Sequence, residues 1–212
     1  MLIDYFKKVG LRRILIMLAG NVFLGIGIAV FKFSGMGNDP FSGMVMALSE
    51  TVHMEYPVFL MIVNVLIFII EFAFGRHFIG AGTLVNAFLL GYVVDFFCKL
   101  IQSQLGEAEL LWQRILAVCI GVIVTSFGVA LYQTPDVGIA PYDSVSLIMT
   151  ERWPKIPYFF HRMSNDVIAA LICYMAGGII GLGTLLTAFC LGPFVHFFTE
   201  HFAKKLVGMK NL

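Results

Sequence analysis

Residues 13–97 of this chain recur as residues 114–198 at a constant offset of 101 positions, without a gap and with 24 identities in 85 aligned pairs. Composition alone would give roughly six, so the two stretches are copies of one unit. Apolar runs fall at 14–34, 57–75 and 78–98 in the first copy and at 114–134, 157–177 and 179–199 in the second. Each has about the 20 residues that a 30 Å hydrocarbon layer requires. Three spans per copy is an odd number, so the second copy must enter the membrane from the side opposite the first. The repeat therefore predicts an all-α integral membrane protein, six transmembrane helices in a 3+3 inverted-topology repeat. Repeat 1 is 13–97, a linker is 98–113, and repeat 2 is 114–198, within a single membrane domain over 1–212.

Only 13% of residues are charged and 59% are hydrophobic, too little polar surface for a soluble domain of this length. The apolar runs are continuous rather than alternating, which argues against a barrel. Lys7, Lys8, Arg12 and Arg13 precede the first run. Its length and its counterpart in the second copy make it a span rather than a secretory signal. Residues 2–10 read as a short amphipathic start in the interface. With the N-terminus inside, 11 of the 14 basic residues lie on the cytoplasmic side, and only Lys32, Lys99 and Arg114 fall outside. That bias predicts a multi-pass inner-membrane protein with both termini cytoplasmic.

Between the first and second span of each copy lies a segment too short to cross, 36–52 and 137–153, opening on Gly37-Asn38-Asp39-Pro40 and Gly138-Ile139-Ala140-Pro141. Asp39 suits an N-cap ahead of Pro40, whose missing N–H costs nothing at the first helical position. Ala140 is a poor cap, and Asp143 in the first turn can compensate through the helix dipole. Two placements fit these short amphipathic helices: flat in the interface, or re-entrant toward the membrane centre. The second would be functional, because a buried helix N-terminus offers unpaired N–H groups to an anion.

Polar residues within the spans cost about 2.5 to 3.5 kcal/mol each at the bilayer centre, so each calls for a partner or a role. The fifth span carries His161, Arg162, Ser164, Asn165 and Asp166. Arg162 and Asp166 stand four residues apart, as do His161 and Asn165, so both can pair along the helix; Arg162 with Asp166 reads as a structural or gating ion pair, or as part of a cavity-lining strip. Asn64 is the repeat partner of Asn165, which points to a symmetric role, although a lone Asn also serves as a helix–helix hydrogen bond. Asn86 and Thr187 are likewise partners. Ala87-x-x-x-Gly91 and Ala188-x-x-x-Gly192 are small-xxx-small pairs that would let the third and sixth spans pack closely, against their surroundings or each other. Asp95, His196, Glu71 and Glu200 read as side chains that reach toward the water at helix ends.

Cys98, Cys119, Cys173 and Cys190 are scattered, with no metal-binding spacing. No catalytic, phosphate-cradling or cofactor motif is present, and Tyr142-Asp143 lacks the Gly-x-Gly-Asp partner of an intramembrane aspartyl protease. A formal charge of +1 without a basic cluster gives no reason to expect nucleic acid. The reading is neither an enzyme nor a metalloprotein, and it implies no cofactor.

The segments Gly37-Asn38-Asp39-Pro40-Phe41 and Gly138-Ile139-Ala140-Pro141-Tyr142-Asp143, with Gly82-Thr83-Leu84-Val85-Asn86-Ala87 and Asp95, resemble the YczE/YyaS/YitT group of bacterial integral membrane proteins, especially its YczE-like branch. The likeness covers nearly the whole chain. The family pattern reads Gly-x-Gly-Pro-Trp-Asp in the first half and Gly-Thr-x-x-Asn-Ala with a following Asp after the second loop. Here Phe41-Ser42 stands where Trp-Asp would, while Asp143 keeps the acid in the second copy. The resemblance implies a bacterial inner-membrane protein of a largely uncharacterised group, some of whose members are presumed transporters, and it supplies no substrate.

These residues together predict a small secondary transporter or permease-like protein whose site lies between the inverted repeats. Its substrate-binding candidates are Asn38, Asp39, Ser42, Asn64, Asn86, Tyr142, Asp143, Asn165, Asp166 and Thr187. The expected partners are the lipid bilayer and a small polar or anionic solute, with room for a homo-oligomer. The alternative is a non-transporting membrane scaffold or regulator.

Overall fold

A computed structural model of the chain describes residues 10–208, and every regular element among them is helical. The expected interfacial start at 2–10 lies, but for its last residue, outside the described residues. The helices are α1 (Leu11–Ser34), α2 (Pro40–Thr51), α3 (Tyr56–Phe74), α4 (Ala81–Leu105), α5 (Leu111–Gln133), α6 (Pro141–Arg152), α7 (Tyr158–Met175) and α8 (Leu182–Phe198). A π-turn over Thr199–Ala203 prolongs α8 into Lys204–Val207. Five stretches are long and apolar enough to cross a membrane: α1, α3, α4, α5 and Leu182–Val207. The remaining expected span, 157–177, is α7, an 18-residue helix whose polar run from His161 to Asp166 sets it apart in composition from the other five.

Local chemistry fixes the breaks. α1 stops at Gly35 in the left-handed region. Asp39 then caps α2 as expected, accepting from Ser42 N at 3.0 Å, with Pro40 in the first turn. α6 starts on Ala140 without a side-chain cap. Gly37 and Gly138, equivalent in the two copies, have φ of 93° and 113°, values that favour glycine.

The molecule is organised around α1 and α5, which pack along their length, with α4 against α1 and α8 against α5. Lipid is as apolar as the core, so helices associate through close packing rather than through water exclusion. Glycines provide it here. Gly27 lies against the backbone of Thr125, and its equivalent Gly128 lies against that of Leu24, the equivalent of Thr125; a Cβ at either glycine would overlap its neighbour. The same reciprocity recurs at the starts of α4 and α8. Gly82 N donates to Val137 O at 2.8 Å, and Gly183 N donates to Met36 O at 2.9 Å. Each copy's third long helix thus begins on the other copy's Gly-x-x-Pro loop.

The short helices also cross over, α2 packing on α7 and α3 on α6. Thr51 Oγ1 reaches Ala176 O at 3.3 Å on one side, and His77 meets Glu151 at 3.0 Å on the other. Phe41 and Tyr142, which hold the same place in the two copies, stack with centroids 4.2 Å apart and planes 15° apart. The small-residue pairs of α4 and α8 do not bring those two helices together. Gly91 lies against Pro57, whereas a Cβ on Gly192 would meet nothing within 4 Å.

Candidate functional site

The first turns of α2 and α6 face each other next to the middle of α1, and a cavity of ≈ 70 Å³ lies there, bordered by both copies. Asp39, Ser42 and Tyr56 line it from the first copy, and Tyr132, Asp143 and Arg162 from the second. Asn86, Thr125 and the stacked pair Phe41 and Tyr142 complete the polar and aromatic wall. Asn38 Nδ2 donates to Ile28 O at 3.1 Å, which fixes the start of α2 six residues back from the end of α1.

Three helices contribute to one charged network beside the cavity. Arg162 on α7 pairs with Asp143 on α6 and, at 3.3 Å, with Asp166 one turn along its own helix. The i, i+4 pairing expected for Arg162 and Asp166 therefore forms, and Asp143 joins it. Tyr132 at the end of α5 donates its hydroxyl to Asp143, Gln133 Nε2 donates to the same carboxylate at 3.1 Å, and Tyr142 donates to Asp166 Oδ1 at 2.7 Å. The guanidinium lies 5.0 Å from the centre of the Tyr142 ring, within cation–π range. A buried ion is tolerated only with its partners in place, and here Arg162 is held between Asp143 and Asp166.

Asp39 stands apart. Its Oδ1 caps α2, while its Oδ2 is buried with no hydrogen-bond partner. Thr125, 2% exposed, likewise has an unpartnered hydroxyl. Asn86 Nδ2 donates to Asn21 Oδ1 at 3.1 Å, so Asn86 bridges α4 to α1 at the cavity edge.

Of the ten residues that the sequence nominates, Asp39, Ser42, Asn86, Tyr142 and Asp143 border the cavity, and Asp166 sits behind it in the network. The other four are placed elsewhere. Asn38 is held by the α1 backbone. Asn64 donates to Ala87 O at 3.4 Å and Asn165 to Ser146 Oγ at 2.9 Å, so the two equivalent asparagines tie different helices together rather than meeting. Thr187 bonds back to Gly183 O and Thr184 O in its own helix. Asn165 does not pair with His161, whose Nε2 is buried without a partner. Glu71 does not reach for water; it is 0% exposed, with both carboxyl oxygens unpartnered. Asp95 and Glu200 pair with Lys99 and Lys204 one turn on, at 2.6 and 2.5 Å.

Tyr132, Tyr56, Thr125 and Gln133 were not legible as site residues. The one available signal was the pairing of Tyr132 with Phe31 in the repeat: a single hydroxyl added at an equivalent position in an apolar run. A larger cleft of ≈ 220 Å³ lies between the end of α1, the end of α4 and the start of α5, beside Lys32, Glu107 and Arg114. It gathers exposed helix-end side chains and lacks the buried charges of the central cavity.

The chain is similar along most of its length to an uncharacterized protein of Haemophilus influenzae, with 25% identity over 91% of this chain and 86% of the relative. It is also 25% identical to the uncharacterized protein YyaS of Bacillus subtilis, over 88% of this chain and 94% of that one. A third relative, the uncharacterized membrane protein YczE of Bacillus subtilis, is 25% identical over 84% of this chain and 81% of its own length. No solved structure matches the chain. YyaS and YczE are members of the group that the Gly-x-x-Pro and Gly-Thr motifs resemble, and the family description matches residues 11–200. A membrane protein with several apolar helices, this chain belongs to the family of unknown function DUF6198.

Proposed function

We propose that the protein is a small permease whose substrate occupies the cavity between two inverted repeats, with α7 as the sixth span. The observation that carries this reading is the position of the cavity: it is bordered by both copies, at the place where both short helices begin. Broken helices meeting at the interface of inverted repeats form the architecture of alternating-access carriers. Reciprocal contacts support the symmetry, since Gly82 with Val137 and Gly183 with Met36 are equivalent bonds, and since the equivalent residues Phe41 and Tyr142 touch as residues near a two-fold axis would. The start of α2 beside Ile28 lies about 9 Å inward from the end of α1 at 1.5 Å per residue, which favours the re-entrant placement. Irregular backbone at that depth is tolerated where it lines a polar cavity.

Cysteine labelling tests the reading. In a Cys-free background, Ser42→Cys and Asn86→Cys should react with membrane-impermeant thiol reagents applied from either side, in separate conformations. Positions that stay unlabelled from both sides in membranes would instead support a scaffold or regulator. One observation favours that second reading: Arg162, Asp143 and Asp166 already pair with one another without a ligand.

A further inference from the structure

We infer that the central cavity takes a small amine cation, seated with its positive charge on Asp39. The inference rests on the permease reading for the cavity's purpose and names the chemical class of what it holds. Charge is the first argument. With all three carboxylates ionised, Asp39, Asp143 and Asp166 face the one guanidinium of Arg162, and the N-termini of α2 and α6 add about +0.5 each. The sum is about −1, which one positive charge at the site balances, either a cation or a proton on Asp39.

Geometry assigns where that charge belongs. Arg162 is already engaged by Asp143 and, at 3.3 Å, by Asp166, so it has little left to offer a substrate anion. Among the described residues no cationic side chain pairs with Asp39, which lines the cavity and whose Oδ2 is buried and unpartnered. Thr125, 2% exposed, borders the same space, and its hydroxyl, which lies against Gly27, has no partner. A buried carboxylate left alone is strongly disfavoured, and an ammonium group supplies both the charge and the donor that Asp39 Oδ2 lacks. The wall suits the rest of such a ligand: Phe41, Tyr56 and Tyr132 border the space, and aromatic rings bind amine cations by cation–π attraction, while Tyr142 is already engaged by Phe41 and Arg162. A cavity of ≈ 70 Å³ admits a ligand of only a few heavy atoms. An anionic solute would add to this negative balance.

The test uses the full chain, purified in detergent, with methylammonium, acetamide and acetate as cationic, neutral and anionic probes of similar size. Ionic strength is held with N-methyl-D-glucamine chloride, whose cation is too large for the cavity. Methylammonium should raise the melting temperature by several degrees at saturation, and acetamide and acetate should not. Asp39→Asn retains a side-chain oxygen for the cap and should bind methylammonium at least about 30-fold more weakly; Asp39→Glu should retain binding, and Asp95→Asn, on the exposed Lys99 pair, should leave it unchanged. A shift with acetate or acetamide but not with methylammonium overturns the inference. So does stabilisation by acid alone that vanishes in Asp39→Asn, which would make Asp39 a proton carrier only, and so does no shift with any probe. Because the preference among the three probes is measured on the unmodified protein, the result stands whatever the variants do. Liposome flux separates the two proposals: methylammonium binding without flux keeps this inference and removes the permease, and acetate flux without methylammonium binding does the reverse.

Discussion

The two copies share a frame and differ in what they place inside it. Glycines at 27 and 128, 37 and 138, 80 and 181, and 82 and 183 make equivalent contacts in both. The polar network has no such symmetry: Tyr132, Tyr142, Asp143, Arg162 and Asp166 occupy the second copy, where the first has Phe31, Phe41, Ser42, Met61 and Val65. Where the same backbone approach occurs in both copies, it demands glycine in both. A charge need appear only once, and duplicating it would bury a second set without adding a second cavity.

Exchanging residues between equivalent positions can break this comparison. Arg162→Met, which installs the first-copy residue, should cost about 3 kcal/mol, because Asp143 and Asp166 would remain buried without a counter-charge. The triple change Arg162→Met, Asp143→Ser and Asp166→Val should recover most of that loss in thermal denaturation. Recovery would mean that the network is dispensable for the frame.

Symmetry of the frame is tested by Gly82→Ala and Gly183→Ala. Each places a Cβ against the backbone of the opposite loop, at Gly138 O and Gly37 O respectively, and each should destabilise by about 2 kcal/mol. Unequal costs would show that one loop yields more readily than the other. Gly192→Ala, which meets nothing within 4 Å, should leave the melting temperature unchanged.

Smaller effects concern single groups. Glu71→Ile copies Ile172 into a fully buried site whose carboxyl oxygens have no partner, and removing that unsatisfied group should add about 1 kcal/mol. A loss on chemical denaturation would reveal a role for the acid. Asp39→Ala copies the uncapped Ala140 and should cost about 1 kcal/mol through the lost Ser42 bond, an amount that Asp39→Asn should not lose.

Much of the frame could be read before the structure. Pro40 and Pro141 sit in first turns because proline's geometry belongs there, and Asp39 caps α2 as its position demands. The Gly-Thr blocks at 80–84 and 181–185 were visible as the densest identity, though not as docking points for the opposite loops. About half of the site was legible, since Asp39, Ser42, Asn86, Tyr142 and Asp143 stand beside motifs. Tyr56, Tyr132 and Thr125 were not, because a tyrosine or threonine in an apolar run has the same local pattern whether it faces a cavity or a neighbouring helix.

By itself the sequence determined the duplication, the apolar runs and the breaks between them, because periodicity, length, proline and glycine act on the chain within a few residues. Only the tertiary structure decided that α2 packs on α7 and α3 on α6, that Asp143 completes the Arg162 pair, and that Asp39 is left unpartnered. Those outcomes depend on which faces meet across more than a hundred residues of chain, and the electrostatic cost of a buried charge is set by the groups that meet it there.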